Sequence, residues 1–240
     1  MPSRHFCGCV LLAAMALAGC GKPRGVVDIL APSEVLDFRT LYAENCAGCH
    51  GREGHGGVAI SLADPVYLAV ADQASMRRAI ADGVRGTAMP AFAETSGGLL
   101  TNAQIDVIVR ESRSRWSRHG VLDRANPPSY AAKSEGDLQR GAVAYQTYCE
   151  SCHGVGGRGT PKGSAIVNDS FLALVSDQGL RTLVITGRPE LGAPDWRGNV
   201  PGRPMSDQDV TDVVAWLISK RVEAPERPYS ASVLGANDGK

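Results

Sequence analysis

The chain has 240 residues, enough for one large domain or two small ones. Its 43% hydrophobic and 21% charged content is ordinary for a globular protein, but aromatics reach only 5% while glycines number 28 and prolines 14. The zero net charge argues against a nucleic-acid binder, which needs a basic surplus to neutralise phosphates. No run approaches the roughly 18 apolar residues of a membrane-spanning helix.

The N-terminus reads as a targeting segment. Arg4 and His5 precede an apolar stretch from Val10 to Ala18. That stretch ends in Leu17-Ala18-Gly19-Cys20, which resembles the lipobox of bacterial lipoproteins, where cleavage leaves a diacylglycerol-bearing cysteine as the first residue. An ordinary signal peptide cut after Ala16-Leu17-Ala18 is the plainer alternative, but it leaves Cys20 unexplained in so cysteine-poor a chain. The expectation is a signal peptide over residues 1–19, lipidation at Cys20 and a tether over 20–34. Several acyl chains would hold the exported protein on a membrane, where one alone would not.

A helical stretch from Val35 to Cys46 leads into CAGCHG, then the glycine-rich GREGHGG and a short helical segment near Ser75–Ala81. Residues 82–92, DGVRGTAMPAF, come next. Thr101 and Gln104 then stand in the relation of a capping box, with Leu100 and Ile105 placed as a hydrophobic staple. Ile105, Ile108, Val109 and Ser112 continue at helical spacing. Residues 120–134, containing Asn126-Pro127-Pro128-Ser129, read as a semi-rigid linker.

The series then repeats. Asp137 to Cys149 is helical, CESCHG and GVGGRG follow, and Leu180–Ile185 matches the earlier short helix. TGRPELGAPDW, residues 186–196, leads to a helix opened by Ser206 and Asp209, with Met205 and Val210 as its staple. Tyr42 and Tyr145 stand at the same distance from their cysteines. The chain thus divides into units over 35–119 and 135–222, with a flexible tail over 223–240.

Of the seven cysteines, Cys7 and Cys9 leave with the signal peptide and Cys20 is the lipid site. Cys46, Cys49, Cys149 and Cys152 remain, all within the two repeated motifs. A strained disulfide or a zinc site would account for C-x-x-C alone. Neither explains the histidine after each second cysteine. C-x-x-C-H is the attachment signature of c-type haem. Two thiols one helical turn apart add across the porphyrin vinyl groups, which brings His50 or His153 beneath the iron as proximal ligand. Two covalently held haem c groups would also fill cores short of aromatics.

The chain resembles the class I cytochrome c family twice over, on C-x-x-C-H-G, a later Met-Pro and a closing helix. The resemblance implies an all-α fold of two tandem domains, each wrapped around one haem with first and last helices crossing. Gly141 matches the family glycine at that crossing, and Trp216 an aromatic of the last helix. Phe38 and Glu111 stand in their places in the first half, so its crossing is expected to be looser or differently packed. Pro161 resembles a family proline whose carbonyl orients the proximal histidine, and the first half has no counterpart.

The resemblance gives Met89 the role of sixth iron ligand, a soft thioether that favours ferrous iron. Aligning 82–92 with 186–196 sets Ala193 against Met89. The second haem would then be open or weakly ligated, be ligated by Met205, or take a ligand such as Lys162, His119 or His55. Met205 occupies the slot of Leu100, which favours the staple role. Arg110, Arg113, Arg115 and Arg118 read as a solvated face rather than a docking patch.

The implied function is single-electron transfer, as a carrier rather than a catalyst, outside the cytoplasm on the periplasmic or cell-surface side. Implied partners are a quinol-oxidising complex, a terminal oxidase or a dehydrogenase. The rival is peroxide, nitrogen-oxide or gas chemistry at an open second haem fed by the first. No histidine near Ala193 would serve as distal acid or base there; the nearby Asp195 and Glu190 are unremarkable substitutes.

Overall fold

The computed structural model describes residues 30–222, so the leader, the lipobox with Cys20 and the tail over 223–240 lie outside the described residues. The chain divides into two units, Met1–Glu34 and Val35–Lys240. In the first, a 3-10 turn at Pro32–Glu34 is closed by the Glu34 carboxylate, which accepts from the Ala31 N–H at 2.9 Å. The second is helical, and its described residues form only isolated bridges in place of strands.

Short polar residues start the helices by accepting an N–H from the first turn. Asp37 caps α1 (Phe38–Asn45), which runs into the single turn α2 (Ala47–His50). Asp64 and Asp72 cap α3 (Pro65–Val70) and α4 (Gln73–Asp82), and Thr101 caps α5 (Asn102–Trp116). The second half repeats this with α6 (Leu138–Tyr148) and α7 (Glu150–His153). It continues through α8 (Asp169–Leu174), α9 (Asp177–Thr186) and α10 (Asp207–Ile218). Both capping boxes form, and Leu100, Ile105, Met205 and Val210 are all buried. Helices α3 and α8 have no periodic signature in the sequence, because six residues are too few to display a period. Their one signal was the cap, Asp64-Pro65 in the first case and Asn168 in the second.

The two halves solve the same crossing differently. In the second, α6 meets α10 at Gly141, where a Cβ would lie 2.2 Å from the Asp212 carbonyl oxygen. Tyr145 stacks on Trp216 with centroids 4.3 Å apart. The buried Asp212 carboxylate accepts from Arg140 Nε at 2.7 Å and from the Asp137 N–H and Gln208 Nε2 at 2.8 Å each. Burial alone would raise its pKa, but these hydrogen bonds outweigh it and hold the carboxyl below the usual range. In the first half Phe38 leaves no room for such an approach. Trp116, further along α5 than Glu111, supplies the missing aromatic, with its ring 5.8 Å from Phe38 and 5.2 Å from Tyr42. That crossing is packed differently.

Residues 120–134 act as a strap. Pro128 is fully buried. Arg181, itself 2% exposed, donates from Nε to the Ser129 and Tyr130 carbonyls at 3.0 and 3.2 Å, bonds Thr211 and pairs with Asp207. Tyr130 meets Tyr67 of α3 edge-on at 6.3 Å. Val66 of α3 is buried within the core of the second half, and Arg197 donates to the Val121 carbonyl at 3.0 Å. The two halves therefore pack directly against each other.

Two predictions follow from this packing. Gly141→Ala forces a Cβ against backbone and should cost about 2 kcal/mol in denaturant unfolding. Gly48→Ala, with nothing within 4 Å, should cost nothing measurable. Asp64 lies where the halves meet; burial raises its pKa, and the charges of Asp195 and Glu190 push the same way. A carboxyl raised on folding withdraws stability as pH climbs above its ordinary value of 3.8. Asp64→Asn keeps a capping oxygen, so it should be the more stable protein at pH 7 and lose that advantage at acid pH.

Candidate functional site

Each C-x-x-C-H forms the same joint. Cys46 ends α1 and opens α2, and its carbonyl accepts from the N–H groups of Cys49 and His50 at 3.2 and 3.0 Å. The Cys149 carbonyl accepts from Cys152 and His153 at 3.2 and 2.9 Å. Spacings of three and four place both sulfurs and the imidazole on one face of the turn. All four thiols are free. Gly51 and Gly154 then reverse the chain at φ 82° and 77°. The hydroxyls of Tyr42 and Tyr145 donate to the carbonyls of these glycines at 3.0 and 2.5 Å, tying each loop to its first helix.

The histidines are fixed from behind. His50 Nδ1 lies 2.9 Å from the Ile60 carbonyl oxygen, and His153 Nδ1 lies 2.7 Å from that of Ser164. A carbonyl only accepts, so the proton sits on Nδ1 and the Nε2 lone pair is left for a metal. The acceptor in the second half is thus Ser164 and not Pro161, and the first half has the same device without a proline. A backbone carbonyl carries no side-chain signature, so which residue supplies it is not legible from residue type.

Burial lowers the His50 pKa, against a smaller opposing effect of the Ile60 hydrogen bond, so the imidazole is held neutral as a ligand must be. Burial also pushes the Cys46 and Cys149 thiols up to about 12, while Cys49 and Cys152 are exposed. A position hostile to a thiolate suits an uncharged thioether. Among the described residues no cluster of three or more His, Cys, Asp or Glu is placed to hold a metal ion by itself. The residues fit a covalently attached haem.

Met89 and Ala193 occupy the same backbone position. The Val84 N–H donates to the Met89 carbonyl at 3.0 Å, and the Arg188 N–H to that of Ala193 at 2.9 Å. Gly83 and Gly187 precede them at φ 69° and 65°, each in backbone contact with the segment that follows. Thr87 braces the first loop, donating to the Val84 carbonyl at 2.8 Å and accepting from the Met89 N–H at 3.2 Å. The second loop is closed instead by the Ala193 N–H donating back to the Arg188 carbonyl at 3.0 Å.

The remaining candidates divide by position. Met205 is 2% exposed, its N–H bonds the Trp196 carbonyl at 2.9 Å as Leu100 bonds Phe92, and its sulfur accepts from Asn199 Nδ2 at 3.8 Å. Lys162 rides on the loop behind His153, its N–H donating to Thr160, whose hydroxyl donates to the Cys152 carbonyl. His55 and His119 are exposed, and the charge of His55 is felt by Glu190. Arg113 bonds the Ala71 carbonyl at 2.7 Å, and Arg110 and Arg115 both pair with Glu111.

Two turns of this kind, each presenting paired thiols and an imidazole with its Nε2 free, define a protein built to hold haem c. The family model described as "Cytochrome C oxidase, cbb3-type, subunit III" matches residues 33–110 and 136–217, and the chain belongs to this family of cytochrome c domains. It is 30% identical over 147 residues to a "Cbb3-type cytochrome c oxidase subunit CcoP" of Azospirillum sp. (strain B510), covering 55% of this chain and 45% of that protein. A protein of the same description from Azospirillum brasilense is 28% identical over 151 residues, covering 56% of this chain and 46% of that protein. The chain thus spans less than half the length of these relatives. A chain of the Kuenenia stuttgartiensis reducing HAO-like protein complex Kustc0457/Kustc0458 is 20% identical with a TM-score of 0.46, covering 81% of this chain and 100% of that one. No helix among the described residues is long and apolar enough to cross a membrane.

Tyr42→Phe and Tyr145→Phe each remove one hydrogen bond to a motif glycine. Each should cost about 1 kcal/mol in denaturant unfolding of the holoprotein.

Proposed function

We propose that this chain is a dihaem electron carrier. One haem c is held by Cys46 and Cys49 with His50 as proximal ligand, the other by Cys149 and Cys152 with His153. The observation that carries this reading is the repeated turn in which each histidine is locked to a backbone carbonyl through Nδ1. When bound, haem supplies the one-electron chemistry. The chain's own residues fix, orient and bury it. Met89 provides the sixth ligand in the first half, and Thr87 sets the loop that carries it. A thioether favours ferrous iron, so the first haem sits at the higher potential.

The protein is exported and anchored by lipid at Cys20, on the periplasmic or cell-surface side of a membrane, with Leu17-Ala18-Gly19-Cys20 as support. Its partners are respiratory redox proteins. Among a quinol-oxidising complex, a terminal oxidase and a dehydrogenase, the names of the curated relatives favour an oxidase.

Haem in the purified chain, counted per polypeptide by the absorption of its pyridine adduct, should fall by half in the Cys149→Ala, Cys152→Ala double variant. Met89→Ala should lower the upper midpoint in a redox titration and leave the lower one in place. A chain that retains no haem after denaturing electrophoresis would falsify the reading.

A further inference from the structure

We infer that the second half takes a small neutral ligand from solution, of the class of carbon monoxide and other diatomic π-acceptors, on the face of its haem opposite His153. The inference rests on the haem attachment at Cys149 and Cys152 proposed above. It starts from the shared backbone position of Met89 and Ala193, each accepting at its carbonyl from the residue after a left-handed glycine. What the first half fills with a sulfur, the second fills with a methyl group.

Apart from the exposed His55, the neighbouring donors are engaged elsewhere or misplaced. Met205 has the right chemistry, but it is buried between Trp196 and α10, in a slot that Leu100 fills in the other half with no donor at all. To reach the iron its side chain would have to vacate the staple and give up the hydrogen bond its sulfur accepts from Asn199 Nδ2. Lys162 belongs to the loop behind His153, on the wrong side. Glu190 and Asp195, the acidic residues flanking Ala193, are each paired, with Arg188 and Arg197. The loop itself is closed by two backbone hydrogen bonds between Arg188 and Ala193, at 2.9 and 3.0 Å, so it is not free to deliver a more distant residue. Binding forms one coordinate bond, breaks none and changes no oxidation state.

The test is titration of the reduced holoprotein with carbon monoxide, followed by absorption, with haem per chain counted separately. The expected result is saturation at half the haem, with Met205→Leu unchanged. Ala193→Met should weaken binding at least tenfold, because it places a thioether where Met89 carries one. Two haems per chain with no binding would overturn the inference, and binding recovered in His55→Ala would then assign the sixth ligand to that residue. Equal binding by Ala193→Met would also overturn it, since Ala193 would then not face the iron. Fewer than two haems per chain would instead overturn the attachment reading.

Discussion

The bond from each motif histidine to a backbone carbonyl constrains most of what surrounds it. To place the Ile60 or Ser164 carbonyl at 2.9 or 2.7 Å from Nδ1, the chain must leave the C-x-x-C-H turn, reverse at a left-handed glycine and return beneath the imidazole. The tyrosine hydroxyl that bonds the same glycine fixes that return to the first helix. The first helix is in turn held by its crossing with the last. A ligand nitrogen is thereby positioned through three successive contacts, each with a partner outside the motif turn.

The duplication shows which parts of this scheme tolerate change. The motif turn, the tyrosine, the carbonyl behind the histidine and the cap of the last helix are the same in both halves. The helix crossing is not. One half packs backbone to backbone at Gly141 and buries a carboxylate beside it, while the other fills the space with Phe38, Tyr42 and Trp116. Either arrangement brings the first tyrosine to its glycine, which is what the site requires.

Contact between the halves is built from elements whose local sequence does not advertise it. Helix α3 inserts Val66 into the other core, and the strap around Ser129 and Tyr130 is gripped by the buried Arg181. The Ser129 carbonyl depends on Arg181, while that of Tyr130 also accepts from Gln178 Nε2 at 2.8 Å. These contacts hold the two C-x-x-C-H halves in one arrangement.

The sequence by itself determined the class of the protein. Its two motifs, the helices around them, both capping boxes and the absent methionine opposite Met89 were all legible, because each depends on residue type at short, fixed spacing. The tertiary structure alone decided three other things. It chose Ile60 and Ser164 to stand behind the histidines, it replaced Glu111 by Trp116 at the first crossing, and it packed the linker over residues 120–134 down as a strap. The reason is physical. Caps and motif turns are closed by neighbours three or four residues apart, whereas these features are closed by partners brought together only when the chain has folded.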